Sequence, residues 1–267
     1  MPVDYHVHTY RCGHAEGDPS AYLAVARARG LREVGFADHI PLYFLPRAAR
    51  DPSLAMADED LPRYVSEINA LKNVYPDIAV RLGIEADYVP GHEKELAHIL
   101  GTYPFDYVIG SIHYLDGWGF DNPEQLAGYE ERDPDELYRA YFTLLGQAAA
   151  SGLFDIMAHP DLIKKFGCRP ATDPAPLYET AAAIFARAGV CVEVNTAGLR
   201  APAAEIYPAP AFLYACRRFG VPVTVGSDAH HPEQVGAGLE EAVALLKEAG
   251  YRSIAVFTGR RRSFLYL

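Results

Sequence analysis

Residues 2–9 read Pro-Val-Asp-Tyr-His-Val-His-Thr. A short run with β-branched valines ends on two histidines at i and i+2. Such a run is a strand, and in a strand His6 and His8 point to the same face. The same plan recurs along the chain. Strand-like runs at Glu33–His39, Ile78–Asp87, Tyr107–His113, Asp155–His159, Val190–Asn195 and Val221–Asp228 alternate with helical segments, and Ser253–Phe257 is an eighth candidate. The helices are expected near 19–29, 60–74, 91–100, 134–151, 174–188, 208–219 and 232–249. Asp18-Pro19, Asp133-Pro134 and Asp173-Pro174 place an acid before a first-turn proline, and Gly30, Gly189 and Gly220 follow helix ends. A repeated strand–helix order implies parallel strands with right-handed crossovers. Seven or eight units over residues 1–267 suit one α/β, TIM-like barrel. An open doubly wound sheet would use the same units, so closure is an inference. Residues 41–60, bounded by prolines, form a long loop and a candidate lid.

Bulk composition narrows the function. Of the 267 residues half are hydrophobic and 22% charged, an ordinary globular balance. The net charge of −11 argues against a nucleic-acid partner held by a basic surface, but leaves room for phosphate where metal ions supply local positive charge. Cys12, Cys168, Cys191 and Cys216 form no C-x-x-C pair and read as reduced thiols. No secretory pattern follows Met1 and no apolar run reaches membrane-spanning length, so the expectation is a soluble cytoplasmic protein without a membrane partner.

The chemistry lies at the strand ends. His6 and His8 end the first strand, and His39 (F-A-D-H) the second. Glu85 (G-I-E-A-D-Y) sits late in the third, His113 (G-S-I-H-Y) ends the fourth and His159 (I-M-A-H-P-D) the fifth. Asp228 and His230 (V-G-S-D-A-H) close the seventh, and His14 follows the first in R-C-G-H. In a parallel barrel these ends meet on one rim, where active sites form. Seven of the ten histidines therefore converge with two carboxylates; His92, His98 and His231 do not follow the rule. Taken singly each has a plainer explanation: H-x-H as two strand histidines, Glu85 as an ion-pair partner, Asp228 as a helix cap. Nine such accidents at successive strand ends do not fall together by chance. Imidazole and carboxylate without thiolate suit zinc, manganese or iron. Nine ligands exceed the needs of one ion, so two or three are expected, with a carboxylate such as Glu85 able to bridge.

His6, His8, His14, His39, Glu85, His113, His159, Asp228 and His230 together resemble the ligand set of the PHP (polymerase and histidinol phosphatase) family, from residue 4 to about residue 231. The resemblance implies a distorted (βα)7 barrel with a trinuclear centre at the C-terminal ends of the strands. It also implies three sets of ligands. His6, His8, Glu85 and Asp228 would hold a first metal; Glu85, His113 and His159 a second; His14, His39 and His230 a third. Two loops, 110–121 (G-S-I-H-Y-L-D-G-W-G-F-D) and 193–202 (E-V-N-T-A-G-L-R-A-P), are similar to the branch that hydrolyses histidinol phosphate in histidine biosynthesis.

A phosphate monoester resists attack because its oxygens are already anionic, and metal ions neutralise them while lowering the pKa of a bound water to roughly 7. Beside the ligands Glu85 and Asp228, Arg200 is the expected catalytic phosphate clamp, since its fork matches two oxygens. Lys164 and Lys165 are further phosphate candidates, and Trp118 and Phe120 are candidates to pack on the substrate's imidazole. Signatures of aspartyl-phosphate, phosphocysteine, serine-hydrolase and P-loop chemistry do not occur. The competing function is a PHP-type phosphodiesterase or exonuclease acting on nucleic acid or nucleotides. A structural polymerase-associated module and a C–N hydrolase of the amidohydrolase kind are further alternatives. A homo-oligomer is compatible with everything above.

Overall fold

The computed structural model describes residues 3–267; Met1 and Pro2, the latter the expected start of the first strand, lie outside the described residues. Seven strands, β1 (Val3–Val7), β2 (Glu33–Phe36), β3 (Ala79–Asp87), β4 (Tyr107–Ser111), β5 (Ile156–Met157), β6 (Cys191–Asn195) and β7 (Val223–Gly226), pair in parallel in their order along the chain. Each is followed by a helix: α1 (Pro19–Ala28), α2 (Leu61–Val74), α3 (Glu93–Thr102), α4 (Pro134–Ala150), α5 (Ala175–Ala188), α6 (Pro210–Arg218) and α7 (Leu239–Glu248). Of the expected N-caps, Asp133 accepts from Glu136 N and Asp173 from Ala175 N, whereas the Asp18 side chain makes no capping bond.

Strand order distinguishes a barrel from an open sheet. A doubly wound sheet reverses direction at a switch point, and here the order runs straight through and returns. β1 and the residues after β7 meet in a parallel bridge, with His8 N donating to Ala229 O (2.9 Å) and Ala229 N to His6 O (3.2 Å). Below that bridge the buried Asp4 carboxylate takes over from the backbone ladder. It accepts from Ser227 N and Gly236 N at 2.8 Å each, and from the Ser227 hydroxyl. The sheet is thus nearly closed into a barrel.

The barrel interior is filled from one side by Tyr107, whose hydroxyl donates to Tyr5 O at 2.7 Å. Gly83 makes room for that ring: a Cβ there would lie 2.3 Å from Tyr107 Cζ. The N-terminal mouth is sealed by a hairpin, Ser253–Thr258 with Arg261–Tyr266, joined by the two-residue turn Gly259-Arg260. Phe257 N donates to Tyr5 Oη at 2.8 Å, Thr224 Oγ1 to Ala255 O at 2.9 Å, and Arg260 pairs with Asp155 at 2.7 Å. Only the C-terminal mouth is left for chemistry.

Several expected boundaries shift. The ligand-bearing residues His39, His113, His159 and Asp228 sit just past the paired strands, because the backbone turns there. His159 and Asp228 have φ of 24° and 53°, strained for residues with a side chain. The last helix begins at Leu239 rather than 232, since Gly236 and Gly238 take left-handed conformations. A small hairpin, Tyr114–Leu115 with Trp118–Gly119, forms around Asp116-Gly117, both at positive φ. Residues 41–60 are pinned by Arg50, which donates to Leu45 O (2.9 Å) and Tyr43 O (3.2 Å) and pairs with Asp58.

Gly83→Ala forces a methyl into the Tyr107 ring. It should lower stability by about 1–3 kcal/mol, seen as a lower urea midpoint at constant m-value. An unchanged midpoint would show that the ring yields without cost.

Candidate metal centre

Six of the seven strand ends, and the turn after β1 that carries His14, bring all nine expected ligands to one place, with Glu85 at its centre. Glu85 Oε2 lies 3.2 Å from His6 Nε2, 3.1 Å from His39 Nδ1 and 3.5 Å from His8 Nε2. Its Oε1 lies 3.0 Å from His159 Nε2 and 3.7 Å from His113 Nε2. Asp228 Oδ1 lies 3.0 Å from His8 Nε2 and 3.6 Å from His230 Nδ1. His6 and His8 form a fully buried floor, while His14, His39, Glu85, His113, His159, Asp228 and His230 line a cavity of about 330 Å³.

The side chains themselves suit metal ions. Both ring nitrogens of His8, and Nδ1 of His159, are buried without a hydrogen-bond partner, a costly condition unless a cation takes the lone pair. Within the cluster, His6, His8 and Asp228 have ligand atoms within 4.8 Å of one another, as do His39, Glu85 and His113, and His8, His39 and His230. The first grouping contains three of the four residues of the first expected set, without Glu85. In the other two, His39 groups with Glu85 and His113, and His8 joins His39 and His230, so neighbouring sets share ligands.

A second ring of residues aims the imidazoles. His6 Nδ1 faces Glu193 Oε1 at 2.7 Å, and the other oxygen of Glu193 accepts from His159 N at 2.8 Å. His113 Nδ1 faces Asp87 Oδ1 at 3.0 Å, and His8 Nδ1 faces Asp38 Oδ1 at 3.5 Å. His14 Nδ1 faces Cys12 O (3.0 Å) and Ser53 O (2.9 Å), and Asn195 Nδ2 donates to Asp228 Oδ2 at 3.2 Å. Occupying one nitrogen of His6, His113 or His14 leaves the other free for a metal. Sequence reasoning missed these partners. Glu193 and Asn195, like Glu85 and Asp87, share one face of a strand at i and i+2, so the alternation that identified His6 and His8 carried the signal.

Charge in the cluster divides sharply. Burial alone would push the Glu85 carboxyl up, but His6, His39 and His159 outweigh it and hold it well below the usual carboxylate range. Asp228 is likewise held down against burial by His6 and His8. Burial, helped by the charge of His8, pushes His39 and His230 well below the ordinary imidazole value. His113, which burial would lower, is instead raised to about 10 by Asp87, Asp121 and Glu85.

The substrate-facing residues divide too. Arg200 and Lys165 line the cavity. Arg200 Nη2 donates to Ser227 O (2.7 Å) and Asp228 O (3.1 Å), and Lys165 Nζ to Asp121 O (2.8 Å). Lys164 does not join them. Its ammonium is buried, paired with Asp161 (3.1 Å) and Glu205 (2.9 Å) and donating to Ile206 O (3.0 Å), so it ties loops together. Trp118 and Phe120 also turn inward. Trp118 Nε1 donates to Gln125 O and its ring meets Tyr129, while Phe120 packs edge-on against Tyr141. Their alternation in the small hairpin aims Gly119 and Asp121, not the aromatics, at the cavities. Buried Cys12, read from the sequence as one of four reduced thiols, has its sulfur within 4.8 Å of ligand atoms of His14 and His230. Its place two residues before His14 was the available signal.

Known proteins resemble this chain in sequence and in fold. Residues 4–197 match the sequence profile of the PHP domain, and residues 213–241 that of a PHP-associated region. A protein of Deinococcus radiodurans named "Probable histidinol-phosphatase" is 46% identical over 94% of this chain and 95% of its own length. The "Histidinol-phosphatase" of Lactococcus lactis is 27% identical over 97% and 95%. The crystal structure of histidinol phosphate phosphatase from L. lactis, complexed with zinc, L-histidinol and phosphate, superposes with a TM-score of 0.83 at 25% identity, covering 98% of both chains.

Glu193→Gln weakens the grip on His6 and His159 and should lower metal affinity roughly 10–100-fold, measured by competition with a chelator; unchanged affinity would remove Glu193 from the centre. Metal and proton compete for the same lone pairs. Because His113 stays protonated up to about pH 10 in the metal-free cluster, uptake at neutral pH should release protons, and affinity should rise with pH. Calorimetry in buffers of different ionisation enthalpy reads that release, and buffer-independent heats would contradict it.

Proposed function

The chain belongs to the PHP family, and from that premise we propose that it is a metal-dependent histidinol-phosphatase, hydrolysing L-histidinol phosphate to L-histidinol and phosphate in histidine biosynthesis. The observation that carries the reading is the complete set of nine strand-end ligands gathered on Glu85, in a chain 46% identical to a relative bearing that name. The relative of known structure holds zinc, L-histidinol and phosphate, which supports the same ligands here.

Three divalent ions fit the donor count: His6, His8, Glu85 and Asp228 for one, Glu85, His113 and His159 for another, His14, His39 and His230 for the third. When bound, such ions (zinc, iron or manganese) would neutralise the phosphate oxygens and make hydroxide available near neutral pH. The protein's own work is positioning. Glu85 and Asp228 remain anionic against burial and so keep the donor set charged. Arg200, its Nη2 anchored on two carbonyls, presents the rest of its guanidinium to non-bridging oxygens. Lys165 lies across the same cavity.

Beyond the metal cavity a second space of about 450 Å³ shares His14, His39, His113, Asp121 and Lys165 with it and adds Asp51, Asp87 and Glu124. Those carboxylates suit a small alcohol bearing an amine, and repel the successive phosphates of a polynucleotide. That contrast favours the monoesterase over the nuclease. Residues 1–267 are read as one barrel unit. Among the described residues no helix is long and apolar enough to cross a membrane. Four free cysteines and a biosynthetic substrate accord with the cytoplasm.

The test is phosphate release from L-histidinol phosphate, p-nitrophenyl phosphate, its diester and single-stranded DNA, by wild type and Arg200→Ala. The expected pattern is strong preference for histidinol phosphate, abolished by chelation. Arg200→Ala should reduce kcat/KM by one to a few orders of magnitude, a loss comparable to that of a charge-assisted clamp. Diester or DNA cleavage at equal efficiency would move the assignment to the nuclease.

A further inference from the structure

We propose that Cys12 supplies a thiolate ligand to the third metal position, beside His14 and His230, and so biases that position towards a thiophilic ion such as zinc. The proposal rests on the metal reading above, and adds a donor type absent from the nine imidazole and carboxylate ligands.

Cys12 closes a one-turn 3₁₀ helix (Tyr10–Cys12) that follows β1, and Gly13 then turns the chain at φ 84°. Thr9 caps the turn by accepting from Arg11 N, while its hydroxyl donates to Asp38. The turn directs the Cys12 side chain inward, and the residue is fully buried. Its sulfur and ring nitrogens of His14 and His230 lie within 4.8 Å of one another. In a tetrahedral zinc site with Zn–S near 2.3 Å and Zn–N near 2.0–2.1 Å, sulfur and nitrogen stand about 3.6 Å apart, so only a small closure is needed. His14 is oriented for this role, since Nδ1 faces two carbonyls and leaves Nε2 free.

A second observation points to the same spot independently. The sulfur also groups with His8 and Asp38 within ligand distance, and His8 Nδ1 is fully buried with no hydrogen-bond partner. A thiol that merely filled a core would not stand among three metal-ligating imidazoles, one of them with unpartnered ring nitrogens. The other cysteines provide a contrast: Cys191 and Cys216 are buried in the hydrophobic core, and among the described residues no metal-sized grouping includes them. The ordinary alternative is that the Cys12 thiol donates a weak hydrogen bond to His8 or Asp38 and never meets a metal.

Binding costs the thiol its proton, which passes to solvent as the sulfur–metal bond forms, with no change of oxidation state. A thiolate donor shifts selectivity away from manganese and towards zinc and cadmium.

Cobalt(II) substitution of the full chain separates the possibilities. The wild type loaded with cobalt should show a thiolate-to-cobalt charge-transfer band in the near ultraviolet beside its visible ligand-field bands. Cys12→Ser should lose the first, keep the second, and bind its weakest zinc equivalent at least tenfold less tightly. Cobalt uptake by the wild type without the charge-transfer band overturns the thiolate while sparing the metal centre, and needs no variant. A band that survives in Cys12→Ser overturns it as well. Failure of the wild type to bind cobalt at all overturns both this ligand and the metal reading beneath it.

Discussion

Glu85 sits among five imidazoles, and most of the molecule follows from the need to keep that arrangement in place. Buried histidine nitrogens pointed at one another are an unfavourable assembly unless something positive takes their lone pairs or something negative shares their protons. One carboxylate cannot serve all of them. Asp228 shares the task on one side, and Glu193 and Asp87 take the outward nitrogens of His6 and His113. The result is an anionic frame around a set of imidazole donors, which is the inverse image of a cluster of divalent cations. Backbone strain at His159 and Asp228 is concentrated at that frame and nowhere else among its ligands. An unstrained strand end would carry those side chains away from Glu85.

Seven parallel strands are the device that makes the convergence possible. Residues near the C-terminal ends of seven different strands are far apart in sequence and adjacent in space, so the site can be assembled one or two ligands at a time. Closure between β1 and β7 matters most, because His6 and His8 stand on one side of that seam and Asp228 and His230 on the other. The seam is secured by few backbone bonds, and the buried Asp4 carboxylate supplements them. Asp4, which also accepts from His6 N at 3.3 Å, therefore serves the site from behind its ligands.

Much of this was legible in the sequence because two strong periodicities coincide. Alternation within β1 put His6 and His8 on one face, and repetition of strand-end histidines put the rest on one rim. The outer partners were as regular, at Glu193-x-Asn195 and Glu85-x-Asp87, but a carboxylate near a histidine has many ordinary explanations until distances are known. Aromatic residues misled for a physical reason: Trp118 and Phe120 occupy a loop in sequence, yet the Asp116-Gly117 turn folds that loop into a hairpin whose apolar face is covered. Lys164 misled similarly, since adjacency to a strand end says nothing about which way a short 3₁₀ turn directs a side chain. Strand ends were overextended where ligand geometry, not propensity, ends the ladder.

The seal across the N-terminal mouth joins Phe257 to Tyr5, 252 positions away, and the seam joins Ser227 to Asp4 across 223. A ribosome adds about 5–20 residues each second, so β1 emerges roughly 10–45 s before its final neighbour exists. During that interval one edge of the nascent sheet carries an unpaired acid and two histidines destined for the interior. The edge of β1 is therefore the last part of the sheet to find its partner, and the ligand cluster can be completed only once the seventh strand has arrived.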